Sequence, residues 1–389
     1  MAYQALDLYD VDSLLTDEER LVRDSVREFV DERIMPSIAK HFRDGTFPRE
    51  MANEMGELGL LGAALDGYGC AGMGYVSYGL ICQELERGDS GMRSFCSVQG
   101  SLVMYPIHAF GSEEQKQKWL PKLATGEAIG CFGLTEPDFG SDPGGMITTA
   151  TPTSDGWLLN GSKMWITNGC MADVAVVWAK TPDGIRGFLV EKGMPGYTTQ
   201  EIEAKWSLRA SVTSELYFDD VALPADAILP KTVGLKNALM CLSSARFGIA
   251  WGALGAAMDC YDEALTHSKT RIVYGQPIGR FQLVQNKLVE MASEITKGQL
   301  LALRLGRLKE AGNEHFSQIS LAKRNNVAIA LDAARQCRDI LGASGITHEY
   351  NCGRHMANLE SVITYEGTHD IHALIVGNHL TGLNALGNE

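Results

Sequence analysis

Three stretches of the chain carry residue types that could do chemistry together. Thr364-Tyr365-Glu366-Gly367-Thr368 sets a carboxylate beside glycine, the residue that lets a backbone approach a ligand closely. Thr368 is placed to cap a helix starting at His369 or Asp370. On residue type alone, a lone glutamate between helices is more often solvated than a base. Cys131-Phe132-Gly133-Leu134-Thr135-Glu136-Pro137-Asp138-Phe139-Gly140-Ser141-Asp142-Pro143 offers hydroxyls, backbone N–H groups and glycines in one loop, and alone would pass as a surface turn. Glu86-Arg87-Gly88-Asp89-Ser90-Gly91-Met92-Arg93-Ser94-Phe95-Cys96-Ser97-Val98-Gln99 contains Arg93, whose planar fork can hold a carboxylate in two parallel bonds. Without further context Arg93 reads as an exposed side chain between helices.

Two other patterns point elsewhere and are set aside. Gly67-Tyr68-Gly69-Cys70-Ala71-Gly72 fits the dinucleotide spacing, but a helical stretch precedes it and no βαβ unit surrounds it. It is expected to be a glycine-rich loop between helices. His369-Asp370-Ile371-His372, with His379, lacks the glutamate or cysteine partners of a zinc set, so no metal site is expected.

The elements that must position these residues follow from periodicity. Leu14, Leu15, Leu21, Val22, Val26, Phe29 and Val30 recur at helical steps over 14–35, and Pro36 is expected to close that helix. Further helices are expected near 47–61, 75–88, 99–111 and 113–125. From residue 129 short apolar strands take over, including Ala175–Ala179, Gly187–Val190 and Glu215–Phe218. Asn160-Gly161 is expected to form a hairpin tip. From 235 long helices return; Val284, Leu288, Met291, Ile295, Gly298, Ala302 and Leu305 step by four and three, the seam of a bundle helix. The expected fold is α+β and multidomain: helices over 1–128, a β-barrel-like or sandwich unit over 129–234, and a four-helix bundle over 235–389.

Composition narrows the functions. A net charge of −14 argues against nucleic acid, whose phosphates demand a basic face. No wholly apolar run reaches the roughly 20 residues a bilayer requires, so no membrane insertion is expected. Nine scattered cysteines without a C-x-x-C pair, and an N-terminus without a signal-like pattern, suit reduced thiols in a cytoplasmic protein.

Together with Met164-Trp165-Ile166-Thr167-Asn168, the 131–143 and 364–368 segments resemble the acyl-CoA dehydrogenase family in order and over nearly the whole chain. That resemblance implies FAD. It assigns Phe132, Leu134, Thr135, Gly140 and Ser141 to the flavin and pyrophosphate, with Ser141 also near substrate. Trp165 would flank the ring, Thr167 would lie beside its hydride-accepting nitrogen, and Ile166 and Thr368 would add contacts to the cofactor. Arg271, Gln282, Asp339 and Gly342 would reach the FAD of a neighbouring subunit, implying a homo-oligomer, in this family usually a tetramer. Glu366 falls on the catalytic base, and Arg246 and Gly367 on the substrate site. A desolvated carboxylate is a stronger base, and the Glu366 N–H would help hold the thioester oxygen.

The 86–99, 244–252 and 364–375 stretches are similar to the glutaryl-CoA dehydrogenase branch. There Arg93 would hold the substrate's distal carboxylate, aided by Ser94 and Ser97, with Glu86 and Tyr365 serving decarboxylation. The implied reaction turns glutaryl-CoA into crotonyl-CoA within lysine and tryptophan catabolism, with electrons passed to an electron-transferring flavoprotein. The alternatives are a glutaryl-CoA enzyme that does not decarboxylate, and a short-chain dehydrogenase or oxidase for a neutral acyl group. Met92 and Gly100 depart from the branch's tyrosine and serine, Gly342-Ala343-Ser344-Gly345 from a Gly-Gly-Asn-Gly run, and Val273-Tyr274 from a Gln/Thr-Phe pair.

Overall fold

The computed structural model describes residues 3–385, so the outer limits expected at 1 and 389 lie outside the described residues. Among the described residues seven α-helices come first: α1 (Asp17–Phe29), α2 (Met35–Asp44), α3 (Glu50–Glu57), α4 (Tyr75–Gly88), α5 (Ser90–Ser97), α6 (Tyr105–Phe110) and α7 (Glu113–Ala124). A sheet follows, built from β1 (Gly130–Gly133), β2 (Thr149–Pro152), β3 (Gly156–Thr167), β4 (Val174–Thr181), β5 (Gly184–Glu191), β6 (Tyr197–Glu201) and β7 (Thr213–Pro224). The chain then forms α8 (Leu235–Thr270), a ribbon of β8 (Ile272–Val273) and β9 (Gln276–Pro277), α9 (Gln282–Glu310), α10 (Phe316–Leu341), α11 (Cys352–Val362) and α12 (His369–Thr381). The helix–sheet–helix order matches the expected fold class.

Local chemistry explains the element ends. Thr16 and Ser112 form capping boxes on α1 and α7, each hydroxyl taking the N–H three residues on while Glu19 or Gln115 returns to the cap. The sheet runs β1-β4-β2-β3-β7-β6, with β5 on the other side of β4. It is mixed: β1 and β2 pair with β4 in parallel, the remaining ladders antiparallel.

The first and last helical groups are not separate cores. One apolar cluster joins Phe29, Ile81 and Phe95 from the first helices to Phe247, Trp251 and Leu254 of α8. On the seam of α9, Leu288, Met291, Ile295, Gly298, Ala302 and Leu305 are buried. A Cβ on Gly298 would lie 2.6 Å from Leu254 Cδ2, the close approach a small residue permits.

Two expectations of local structure are corrected. Pro36 does not close a helix; it occupies the first turn of α2, where its missing N–H costs little, after a π-helical turn at Val30–Ile34. Asn160-Gly161 is not a hairpin tip but lies inside β3 at a register shift between Leu159 and Gly161. Asn160 is engaged with Asp220, donating from Nδ2 at 2.9 Å and accepting its N–H at 2.9 Å, so the pair serves a bulge. The β2–β3 turn falls earlier, closed by Thr153 N–H on Gly156 O at 2.8 Å. Among the described residues one helix, α8, is long and apolar enough to cross a membrane by length and composition alone, and 67% of that window is buried inside the protein, as in a core helix.

Candidate active site

Glu366 lies in the loop between α11 and α12, with φ +51° followed by Gly367 at φ +92°. A glutamate in the left-handed region is strained and persists only where its surroundings hold it. The carboxylate Oε2 is buried and has no hydrogen-bond partner among the described residues. Burial pushes the carboxyl above its ordinary value, against the pull of Arg93, Arg246 and Lys323.

Those cations come from three helices. Arg93 on α5 is closed from solvent, donates from Nε to Glu86 Oε2 at 2.7 Å and from Nη2 to the Tyr365 hydroxyl. Its Nη1 is buried without a partner among the described residues. The two-bond fork foreseen for Arg93 is therefore partly spent within the protein, leaving one nitrogen unpaired. Arg246 on α8 donates from Nε to Glu366 O at 2.7 Å. Lys323 on α10 is buried and reaches the carbonyls on either side of Glu366.

The position of Arg93 depends on the α4–α5 break. Asp89 is extended at φ −166°, caps α5 by accepting the Gly91 N–H at 2.7 Å, and also accepts from Arg354 Nη1 and Asn358 Nδ2, each at 2.8 Å. Thus α11 fixes the helix bearing Arg93. Glu86, at the end of α4, also accepts the Ser90 hydroxyl at 2.8 Å. Ser94 and Ser97 are buried on α5, and Ser97 Oγ has no partner among the described residues. Gly100 suits its place, since a Cβ there would lie 3.2 Å from Gly62 N and a serine would press on that backbone.

The sheet contributes a second group. Gln99 docks β1 onto the segment that follows α5, accepting Gly130 N–H at 2.9 Å and donating to Ala128 O at 2.8 Å. Glu136 accepts the N–H groups of Ile147 and Thr148 and pairs with the buried Lys163 at 2.8 Å, tying both ends of the 136–148 loop. Gly140 and Ser141 stay exposed between those ties, while Phe132 and Leu134 are buried and Thr135 is partly so. On β3, Trp165 has φ +63° within the register shift between Lys163 and Ile166, and the residue is 56% exposed. A bulge that presents a bare aromatic face suits a flat heteroaromatic ring. Ile166 is buried beside it and Thr167 partly so. Exposed glycine and hydroxyl loop, bare indole and enclosed carboxylate together fit FAD and a thioester substrate.

Other predicted residues lie elsewhere. Arg271, Gln282, Asp339 and Gly342 are exposed around the β8–β9 ribbon and the facing ends of α9 and α10. Asp339 pairs with Lys287 there, and Tyr274 is 93% exposed. Among the described residues, no side-chain hydrogen bond or ion pair joins these four to Glu366 or Arg93. The Thr368 hydroxyl accepts the Ile371 N–H at 3.2 Å and caps α12.

Sequence reasoning missed Lys323, Gly252, Arg354 and Asn358. His372, in the segment where no metal site is expected, is fully buried; both ring nitrogens lack partners among the described residues, and burial with Lys323 and Arg246 nearby pushes it down to about 3, hence neutral. A signal for Lys323 existed, since it shares a helical face with Ile319, Asn326, Val327 and Ala330. One donor group does come together, Glu263, Cys337 and Cys352, with ligand atoms within 4.8 Å of one another. It lies on α8, α10 and α11, and Glu263 accepts the N–H groups of Asn351 and Cys352.

Known proteins resemble the chain throughout. Models of the acyl-CoA dehydrogenase N-terminal, middle and C-terminal domains match residues 16–127, 131–221 and 232–381. The chain belongs to the acyl-CoA dehydrogenase family, and with that membership comes FAD as its cofactor. Human mitochondrial short-chain specific acyl-CoA dehydrogenase is 36% identical over 373 residues, covering 94% of this chain and 90% of that protein. Two structures of glutaryl-CoA dehydrogenase from Mycobacterium smegmatis are more similar. One, in complex with FADH2, is 56% identical with TM-score 0.98, covering 99% of this chain and 100% of that one. The other is 58% identical with TM-score 0.97 and the same coverage.

Proposed function

We propose that the protein oxidises glutaryl-CoA between its α- and β-carbons and releases the distal carboxylate as carbon dioxide, giving crotonyl-CoA. The observation that carries this is the Arg93 guanidinium, whose buried Nη1 is unpartnered while its other nitrogens are tied beside Glu366. An unpaired, buried donor of fixed positive charge is costly to leave empty and suits a carboxylate. The greater identity to glutaryl-CoA dehydrogenases than to the short-chain relative supports the same substrate.

Glu366 removes the α-proton, since its carboxylate is desolvated and its Oε2 is committed to no other group. Arg93 fixes the far end of the acyl chain, which orients the α-carbon toward Glu366. Once protonated, Glu366 holds that proton while the distal carboxylate leaves, then returns it to the γ-carbon. Tyr365 and Glu86, both bonded to Arg93, keep the guanidinium in place as neutral carbon dioxide leaves and the electron pair of the broken bond passes into the dienolate. Phe132, Leu134, Thr135, Gly140, Ser141, Trp165, Ile166, Thr167 and Thr368 are the residues that would hold FAD, which when bound accepts the two electrons of the oxidation. Arg271, Gln282, Asp339 and Gly342, exposed at the ribbon end, would serve a neighbouring subunit's FAD in a homotetramer. Family membership supports an electron-transferring flavoprotein as electron acceptor.

Anaerobic mixing with glutaryl-CoA tests this proposal. Loss of flavin colour with release of crotonyl-CoA and carbon dioxide is the expected result. Bleaching by butyryl-CoA but not by glutaryl-CoA would favour the short-chain alternative, and glutaconyl-CoA as end product would leave oxidation without decarboxylation.

A further inference from the structure

Three successive carbonyls around Glu366 are held by two buried cations. Lys323 donates from Nζ to Tyr365 O at 2.9 Å and to Gly367 O at 2.8 Å. Arg246 takes the carbonyl between them, that of Glu366. The turn so held is the one in which Glu366 carries positive φ, a conformation that glycine adopts freely and glutamate does not. Something outside the turn must therefore keep residue 366 there, and the two carbonyls that bracket it both end on one ammonium.

We propose that Lys323 is a positioning residue for Glu366: it clamps the left-handed turn that sets the carboxylate, and its charge offsets the carboxylate's burial. This rests on Glu366 being the base. A neutral donor would satisfy two carbonyls without the cost of burying an ammonium. The choice of lysine is explained by the carboxylate between those carbonyls. Burial pulls Lys323 down to about 7, and Glu366 is the first charge opposing that pull. The other groups acting on the pair come from four helices and the loop: Cys82 and Glu86 on α4, Arg93 on α5, Arg246 on α8, Tyr365 in the loop, and His369 and His372 on α12. Arg93 and Arg246 already supply positive charge, but Arg93 is tied to Glu86 and Tyr365, and neither arginine bonds the carbonyls of residues 365 and 367.

The test compares Lys323→Met, Lys323→Gln and Lys323→Arg in the FAD-loaded enzyme, with Glu366→Gln alongside. FAD content and Tm report folding; kcat, KM for glutaryl-CoA and the pH profile of kcat report positioning. Lys323→Met is expected to keep FAD and to lose about 10- to 100-fold in kcat with KM changed less than about threefold. Its acid limb should move to higher pH, because removing a cation makes the carboxylate harder to ionise. Lys323→Arg should recover most of that loss and bring the limb back. Should Lys323→Met fail to hold FAD, Lys323→Gln is read in the same way, keeping a donor and dropping the charge. Wild-type kcat and limb in the neutral variants, or equal losses in Lys323→Arg with an unmoved limb, overturn the proposal. Fast bleaching by Glu366→Gln would instead sink the base itself, whereas a dead Glu366→Gln beside a silent Lys323→Met sinks only the clamp.

Discussion

Glu86 and Arg93 pair across the break between α4 and α5 with Oε2 2.7 Å from Nε, and neither side chain reaches solvent. The pair is bordered by Gly252 of α8, and Tyr365 closes the other side of the guanidinium. Two charges withdrawn from water in this way hold each other in place, and removing either one leaves the other uncompensated.

Arg93→Gln is therefore expected to lower the unfolding free energy by roughly 3 kcal/mol, the lower end of the cost of breaking a buried ion pair. The double variant Glu86→Gln/Arg93→Gln should regain part of that loss. Urea denaturation of the two single variants and the double variant measures the coupling, and strict additivity would show that the pair contributes none.

Selectivity should change separately from stability. Loss of a charge-assisted bond to the distal carboxylate, about 1.5–3 kcal/mol, predicts that Arg93→Gln raises KM for glutaryl-CoA roughly 10- to 100-fold more than for butyryl-CoA. Steady-state kinetics on both substrates decides it. An equal rise for both would remove Arg93 from substrate recognition.

Gly252 is expected to tolerate no side chain. A Cβ there would lie 2.2 Å from Glu86 Oε2 and 3.1 Å from Arg93 Nε, so Gly252→Ala must displace the pair. The expected cost is about 1–3 kcal/mol for overpacking, together with a higher KM for glutaryl-CoA. Gly377→Ala is the control, because nothing lies within 4 Å of its added Cβ. Matching Tm values for the two variants would contradict the packing argument.

Acidity should switch the enzyme off early. Burial raises Glu366 above the ordinary 4.5, against Arg93, Arg246 and Lys323, and only the ionised form can accept the α-proton. The rate of flavin bleaching should thus fall as pH drops through that raised value, and Arg93→Gln should move the limb higher still. For stability the sign is opposite. A carboxyl raised on folding contributes fully below its unfolded value, and that contribution is lost as pH rises through the folded value. Stopped-flow bleaching between pH 5 and 8 provides the measurement, and a flat profile would separate the step from Glu366.

Local pattern carried the element types. Apolar steps of three and four identified the α9 seam, and short apolar runs identified β4, β5 and β7, because both depend on neighbours in sequence. Pattern failed where a residue's role depends on distant partners. Asn160-Gly161 has turn chemistry, yet Asp220 takes the asparagine and the strand continues through a bulge. Pro36 has breaker chemistry, yet the π-helical turn before it lets the helical path resume.

From the sequence alone came the order of helix, sheet and helix, and, through the resemblance, the prominence of Glu366, Arg93, Trp165 and the 132–141 loop. It could not say that Arg93 would spend two nitrogens inside the protein, or that a lysine 43 positions before Glu366 would grip the turn from both sides. The reason is physical. Periodicity records which face of an element is buried, whereas the partner met inside, and hence the charge state and geometry of each buried polar group, is decided only when separate helices converge.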